Sequence, residues 1–245
     1  MSGFKQHFNV YNFSCKLPGN GETINFKPLT TKEIKKLLVY ENVTEYQEVE
    51  NILDEMIKSS VLDEEFNIDD LYLQDRFFLL TEIRKKSKGE TLEFEEDCPS
   101  CQSQNYHVID LDQLLVAKLN KDIDTKVELM ENVSINLWYI TRGQEKEAFQ
   151  NIEGNLKPAE KEAESQLSIL AQGIKSVETP DGKEDNLSFE DKKFIVDSLT
   201  IKNINSISKW YEDNKFGVDF KIEKKCRFCD HKEVSEVPLV NFFTL

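Results

Sequence analysis

The sequence has few of the residues and segments that mark catalytic or membrane-associated proteins. Its 245 residues include three histidines, His7, His107 and His231, and no glycine-rich phosphate loop, Gly-x-Ser-x-Gly turn or His-Glu-x-x-His motif. No apolar run approaches the roughly 20 residues that span a bilayer, and the first residues lack the apolar core of a secretory signal. We therefore expect a protein that is not an enzyme, has no membrane-spanning segment and is retained in a cytosol.

Basic residues are scarce relative to acidic ones. The chain has 31 lysines and arginines against 46 aspartates and glutamates, a formal net charge of −15. A surface of this charge repels phosphate backbones and anionic membranes. Nucleic acid is therefore not expected to be a direct partner.

Cysteine is also uncommon, but four of the five cysteines form two Cys-x-x-Cys pairs, Cys98 with Cys101 and Cys226 with Cys229. In a reducing cytosol such pairs favour a metal or redox site over a disulfide framework. Zinc prefers tetrahedral sulfur and nitrogen ligands, and a two-residue spacer lets both thiolates of one turn reach a single ion. The pattern predicts a structural zinc ion held by all four. Cys15 has no partner nearby in sequence and is predicted to be a buried or half-buried apolar residue.

Other interpretations of the cysteines stay open. They include reduced cysteines with coincidental spacing, thiol redox chemistry and iron–sulfur ligation, although a redox site usually has one Cys-x-x-Cys at the start of a helix. His107 and His231 lie close enough in sequence to replace one cysteine ligand, but four thiolates already fill the shell. A second functional hypothesis is a zinc-ribbon adaptor for nucleic acid, with Phe220 and Phe228 stacking on bases.

The spacing of apolar residues along the chain predicts an α+β fold. In this fold a mainly helical body is inserted into a small antiparallel β unit, a split zinc ribbon with two knuckles, which are the two Cys-x-x-Cys turns. Gly19 and Gly21 are expected to supply positive φ in a hairpin turn, and helix-capping pairs are expected at Thr30 with Glu33, Thr44 with Gln47, and Ser188 with Asp191. We expect five consecutive regions: a β-hairpin region (1–29), a helical region (30–89), the first half of the ribbon (90–111), a mixed, mainly helical insertion (112–216), and the second half of the ribbon with an apolar tail (217–245).

The segments beside the two knuckles carry opposite charges. Acidic residues precede the first knuckle, namely Glu93, Glu95, Glu96 and Asp97, and basic residues surround the second, namely Lys221, Lys224, Lys225, Arg227 and Lys232. If the two halves of the ribbon lie side by side, each cross-strand ion pair contributes about 0.2–1 kcal/mol. The charges therefore favour convergence of the knuckles without determining the fold.

The chain as a whole resembles the baseplate hub and hub-assembly proteins of T-even-type contractile-tailed phages. The resemblance lies in FKPLTTKEIKKLL after an N-terminal strand region, the helical middle, the split knuckles and the ending CRFCDHKEVSEVPLVNFFTL. Its most specific part is the terminal pattern, in which the second knuckle is followed by alternating residues, then Pro238 and Leu239, then Phe242 and Phe243. Asp230 departs from this family pattern, because it replaces a glycine or similar small residue after the second knuckle cysteine.

The resemblance implies a non-enzymatic component or assembly factor of the baseplate hub. Its partners would be other hub or tail proteins, it would be a possible oligomer, and it would be located in the virion tail baseplate, in the host cytoplasm during assembly, or in both. Phe242, Phe243 and Leu245 are the candidate partner-binding residues, because an apolar chain end either inserts into another protein or folds back on its own domain. The sequence has no signature that separates virion components from proteins that act only during assembly.

Overall fold

The structure is a computed structural model that describes residues 11–38, 46–150, 152 and 156–237, with residues 36–38 and 158 described by their backbone alone. The strands are β1 (Phe13–Lys16), β2 (Thr23–Phe26), β3 (Thr91–Asp97), β4 (Gln104–Asp110), β5 (Val116–Ala117), β6 (Lys126–Met130), β7 (Val133–Leu137), β8 (Ile174–Thr179), β9 (Gly182–Glu184), β10 (Gly217–Val218), β11 (Lys221–Lys225) and β12 (Lys232–Glu236). The helices are α1 (Thr31–Leu38), α2 (Tyr46–Ser60), α3 (Leu73–Lys88), α4 (Arg142–Gln150), α5 (Pro158–Gln172), α6 (Phe189–Asp197) and α7 (Ile201–Asp213). This mixture of helices with small antiparallel sheets is an α+β fold, as the sequence predicts.

The chain divides into two compact units. Of the described residues, the first unit takes those up to Phe66 together with 77–118 and those from Gly217 onward, and the second takes 67–76 and 119–216. The division falls within α3, after Arg76. No helix among the described residues is long and apolar enough to cross a membrane.

The second unit is built on a four-stranded antiparallel sheet in the order β6, β7, β8, β9. Side chains along its strands alternate between core and solvent, as a half-buried sheet requires. In β6, Val127 and Leu129 point into the core, while Lys126 and Glu128 are exposed. The core of this unit contains the sheet residues Val127, Leu129, Ile135, Leu137 and Ile174 and the helix residues Ala171, Val196, Ile207 and Trp210. The sheet and the helices α5, α6 and α7 therefore share one core.

An aromatic cluster around Tyr139 fills one part of this core. The Tyr139 ring lies 4.7 Å from that of Phe216 and 5.6 Å from that of Trp210, measured between centroids. The buried polar atoms find partners, because the Tyr139 hydroxyl donates to the carbonyl of Asn214 and Trp210 Nε1 donates to the carbonyl of Asp124 over 2.7 Å. Burial raises the pKa of Tyr139 to about 12, so the phenol stays neutral.

Gly173 ends α5 at a point where the backbone of the next segment passes close by. The Trp138 N–H donates to the Gly173 carbonyl over 2.9 Å, and the Tyr211 hydroxyl donates to the Trp138 carbonyl over 2.9 Å. A Cβ on residue 173 would overlap the Tyr211 hydroxyl. Glycine is therefore needed here for space, since its φ of −71° is open to any residue.

The first unit begins with the hairpin of β1 and β2, which is joined to the end of α2. The Lys27 N–H donates to the Ser60 carbonyl, and the Leu62 N–H donates to the Asn25 carbonyl, both over 2.9 Å. Gly21 has the expected positive φ of 77°, but Gly19 is not among the residues with positive φ. The residues of this unit that are less than 5 % exposed include Leu17, Ile24, Phe26, Leu29, Met56, Ile57, Leu79, Leu80, Ile83, Leu92 and Leu111.

Two of the three predicted helix caps are confirmed. The Thr30 hydroxyl and the Glu33 carboxylate exchange hydrogen bonds with each other's backbone N–H at the start of α1, and Ser188 with Asp191 forms a complete capping box at α6. Thr44 lies outside the described residues. Cys15 is half-buried, as predicted.

We predict that Gly173→Ala lowers the free energy of unfolding by about 1–3 kcal/mol, because the added methyl group overlaps the Tyr211 hydroxyl. Urea unfolding followed by circular dichroism measures the change. Adding Tyr211→Phe removes the overlapping oxygen, so the double variant should lose less stability than the sum of the two single variants. If Gly173→Ala left the free energy of unfolding unchanged, or if the losses of the two single variants were strictly additive, the close approach of Tyr211 to Gly173 would be contradicted.

Candidate metal centre

The two Cys-x-x-Cys pairs lie at the tips of two separate hairpins in the first unit. Strand β3 pairs with β4 and β11 pairs with β12, both antiparallel and each as a two-stranded sheet. The two tips close in the same way, because the Cys98 N–H donates to the Ser103 carbonyl and the Cys226 N–H donates to the His231 carbonyl, both over 3.0 Å. The first cysteine of each pair therefore ends a ladder of hydrogen bonds, and the second lies in the turn.

The turn residues that follow the second cysteines differ in conformation. Gln102 follows Cys101 and has a φ of 58°, whereas Asp230 follows Cys229 and is not among the residues with positive φ. The second knuckle thus closes without the left-handed conformation that favours glycine. This explains how Asp230 is accommodated in the turn without a glycine.

The four cysteine sulfurs meet in one cluster. All four Sγ atoms lie within 4.8 Å of one another, with 3.8 Å between those of Cys98 and Cys229 and 3.7 Å between those of Cys101 and Cys226. Zinc–sulfur bonds of about 2.3 Å in a regular tetrahedron place the sulfurs about 3.8 Å apart. The donor set and its spacing therefore fit one tetrahedral metal ion. Cys98 and Cys226 are buried, Cys229 is half-buried and Cys101 is exposed.

Asn105 connects the two knuckles next to the sulfurs. Its side chain is 2 % exposed; the amide donates to the Ser103 carbonyl over 2.8 Å and to Cys226 Sγ over 3.5 Å. Its Oδ1 accepts the Arg227 N–H over 2.8 Å. One side chain on β4 thus fixes the first knuckle, holds the second knuckle and donates to a candidate ligand. Groups of this kind orient the ligands of metal sites.

The pKa values of the clustered thiols differ, because their sulfurs accept different hydrogen bonds. The Phe228 N–H donates to Cys226 Sγ over 3.4 Å, and such bonds lower the pKa of Cys226 to about 6. Hydrogen bonds from Ser103 lower the pKa of Cys101. The His231 N–H lowers the pKa of Cys229, but desolvation and the neighbouring thiols outweigh it and raise that pKa to about 12. Four thiolates at these distances repel one another, so full deprotonation of the cluster requires a cation.

Lys224 supplies an ion-paired link between the hairpins. It is 8 % exposed, its Nζ lies 3.1 Å from Glu233 on β12, and it also pairs with Glu96 on β3. Burial lowers the pKa of Lys224, but hydrogen bonds to the two carboxylates raise it above its ordinary value. The acidic and basic flanks therefore meet through side chains, while their strands belong to different sheets.

Neither candidate histidine is part of the four-residue cluster. His107 Nε2 lies 3.2 Å from Glu96 Oε1, and His231 Nε2 lies 3.5 Å from Glu233 Oε2. Phe242, Phe243 and Leu245 lie outside the described residues, so their proposed role in partner binding stays a prediction.

A comparison with protein families identifies the chain. The model of the T4 bacteriophage base plate protein family matches residues 9–244. The chain belongs to this family. No curated protein and no solved structure gives a match.

Membership confirms the predicted resemblance to the baseplate proteins of T-even-type phages. The chain is therefore a baseplate protein with a structural role in the phage tail, and other tail proteins are its natural partners. The cysteine cluster of this baseplate protein joins parts of the sequence that are 125 and 131 positions apart.

Sequence reasoning did not find Asn105, whose side chain bonds to both knuckles. An asparagine two residues into a strand has no spacing or charge pattern that marks it. The one available signal was its place at an inward-facing position of β4, where an apolar residue is expected.

We predict that Asn105→Ala lowers the free energy of unfolding by about 1–3 kcal/mol, because the Arg227 N–H and the Ser103 carbonyl lose a buried partner. Urea unfolding of the purified chain measures this. Asn20→Ala is the control, since Asn20 makes comparable bonds to Glu22 at an exposed turn, and its effect should stay within about 0.5 kcal/mol. Equal effects of the two substitutions would contradict the role given to Asn105.

Proposed function

We propose that this baseplate protein is a non-enzymatic component or assembly factor of the tail baseplate hub, and that it acts through contacts with other tail proteins. The observation that carries the proposal is the family match over residues 9–244. The assignment to the hub rests on the terminal pattern of the sequence, in which the second knuckle leads into an apolar end.

A structural zinc ion is the second part of the proposal, with Cys98, Cys101, Cys226 and Cys229 as its ligands. Sulfur–sulfur distances of 3.7 and 3.8 Å support it. Four thiolates complete a tetrahedral shell and leave no open position for water or substrate, which is the arrangement of structural rather than catalytic zinc. Iron accepts the same donors, so metal analysis must separate the two.

The proposed zinc would stabilise the chain by fixing segments remote in sequence. Residues 119–216 of the second unit lie in sequence between the knuckles. An ion bound to both tips would hold, within the first unit, the strand β4 before that segment and the strand β11 after it. Closing so long a loop limits the disorder of the unfolded chain, and the free energy of metal binding becomes free energy of folding.

Two of the five basic residues around the second knuckle are ion-paired, which supports a protein partner over a nucleic acid. Lys224 is committed to Glu96 and Glu233, and Lys232 lies 3.8 Å from Glu223. These lysines are partly neutralised before any partner arrives, and the whole chain carries a net charge of −15. A continuous track for phosphates needs unpaired lysines and arginines. We place the partner-binding residues instead in the apolar end, at Phe242, Phe243 and Leu245.

We predict that Cys226→Ser removes most of the bound zinc and lowers the melting temperature by roughly 10 °C, since losing several kcal/mol shifts a chain of this size by about 2–4 °C per kcal/mol. Plasma mass spectrometry gives the metal content and calorimetry the melting temperature. Cys15→Ser is the matched control and should keep its zinc, because Cys15 is not in the cluster. Iron in place of zinc, or a Cys226→Ser variant with unchanged metal content and melting temperature, would contradict the proposed zinc site.

We predict that disrupting this chain in the phage blocks formation of the hub. Mass spectrometry of purified intact particles then decides between the two forms of the proposal: a component is retained in the particle, and an assembly factor is found in infected cells alone. Particles that lack the chain and carry normal hubs after its disruption would contradict both.

A further inference from the structure

A groove runs between the two hairpins of the first unit, and none of the four clustered cysteines lines it. Its volume is about 320 Å³. Its walls are residues 107–110 of β4 and 221–224 of β11, and Leu114 and Leu115 line it as well. Val108 and Leu115 at this groove are 55 % and 75 % exposed, so apolar surface is left open to water.

The walls of the groove are unpaired strand edges. Among the described strands β4 pairs with β3 alone and β11 with β12 alone. In an antiparallel pair, residues that exchange hydrogen bonds alternate with residues whose backbone groups face outward. The bonds from Leu111 to Glu90 and from Cys98 to Ser103 set this alternation in the first hairpin, so the N–H and C=O of Val108 face away from β3.

The same argument applies to the second hairpin. The Val237 N–H donates to the Phe220 carbonyl and the Cys226 N–H donates to the His231 carbonyl. Glu223 falls between these bonded positions, opposite Val234. Its N–H and C=O therefore face away from β12, on the edge of β11 that lines the groove.

Both ends of the groove are closed by contacts that join the hairpins. At one end β5 pairs with β10, and the Asp219 N–H donates to the Leu115 carbonyl over 2.8 Å. At the other end stand the cysteine cluster and the bond from the Arg227 N–H to Asn105. Held at both ends and unpaired between them, β4 and β11 each present an open edge of the kind to which an extended segment binds by strand addition.

We propose that the groove binds the C-terminal segment of a second copy of this chain, residues 238–245, as an added strand. The proposal deepens the proposed function and rests on its assignment of Phe242, Phe243 and Leu245 to partner binding. It identifies that partner as another copy of the baseplate protein and the receiving surface as the edges at Val108 and Glu223.

The sequence and position of the segment favour this occupant. PLVNFFTL has no charged side chain, so none of its side chains is repelled by a chain of net charge −15. Its valine, phenylalanines and threonine are residues common in strands. Eight extended residues span up to roughly 26 Å, which is longer than the four residues that form each wall of the groove.

The path of the chain disfavours insertion of a segment into its own groove. The last described bond of β12 joins Val237 to Phe220, on the side of β11 away from the groove. From there a segment of the same chain would have to pass around the start of β11, next to Asp219, to reach the edge of β11 that lines the groove. A segment from a second copy reaches this edge without passing around β11.

The test compares two proline variants of the full chain by sedimentation velocity over a range of concentrations. Val108→Pro removes an outward N–H on the groove, and Val234→Pro removes an outward N–H on the far edge of β12, at a valine that is also exposed. We expect the unaltered chain and Val234→Pro to self-associate and Val108→Pro to do so about tenfold more weakly. A chain that stays monomeric, or equal behaviour of the two variants, would overturn the proposal.

Complementation shows whether the segment comes from a second copy. Phe242→Asp leaves the groove intact but places a charge in the inserting segment. Phe242→Asp and Val108→Pro should each self-associate more weakly than the unaltered chain, while a mixture of the two should form a heterodimer through one intact groove and one intact segment. Amide exchange at Val108 and Glu223 should slow as concentration rises. Slow exchange at all concentrations in a monomer would overturn the proposal in favour of insertion into the chain's own groove.

Zinc content measured on the same variants separates this inference from the proposed function. We expect Val108→Pro to keep its metal while it self-associates more weakly. Loss of zinc together with association in Val108→Pro, but not in Val234→Pro, would mean that the substitution acts through the metal centre and would count against the groove.

Discussion

The approach of four cysteine sulfurs within 4.8 Å of one another is the constraint that brings together the two knuckle hairpins of the first unit. Each knuckle lies at the tip of a two-stranded hairpin, and such hairpins are marginally stable by themselves in water. Thiolates this close repel each other unless a cation lies among them. The proposed zinc ion would turn this repulsion into attraction and hold two weak hairpins as one module.

The groups around the sulfurs fit this electrostatic requirement. Zinc with four thiolates carries a charge of −2, and the Phe228 N–H and the Asn105 amide point hydrogen-bond donors at Cys226. Lys224 is nearby, but its charge is balanced by Glu96 and Glu233. Backbone and amide donors therefore stabilise the sulfur cluster locally, while the ion pairs fix the two hairpins relative to each other.

A baseplate protein needs surfaces that stay rigid when neighbours bind, because each neighbour recognises a fixed arrangement of groups. The cysteine cluster at one end and the β5–β10 pair at the other serve this need for the two edges between them. In this view the metal has no chemical task. The proposed ion would determine the shape of a surface of this baseplate protein.

Much of the local structure follows from the sequence. The two Cys-x-x-Cys pairs predict turns that each present two sulfurs to one ion, and the caps at Thr30 with Glu33 and Ser188 with Asp191 form as predicted. These features depend on residues within a few positions of each other, whose geometry is set by the backbone of one turn. Glu96 and Lys224 also meet, since opposite charges mark their flanks.

Other features were decided by the tertiary structure alone. Asn105 meets Cys226 across 121 positions of sequence, and Gly173 has no room for a methyl group because Tyr211 lies against it. The two hairpins form separate sheets with a groove between them, although the charge pattern suggested strands lying side by side. The sequence by itself determined the donor set, the fold class and the family resemblance; the orientation of one hairpin to the other, and with it the groove, depends on packing between remote segments that no local pattern encodes.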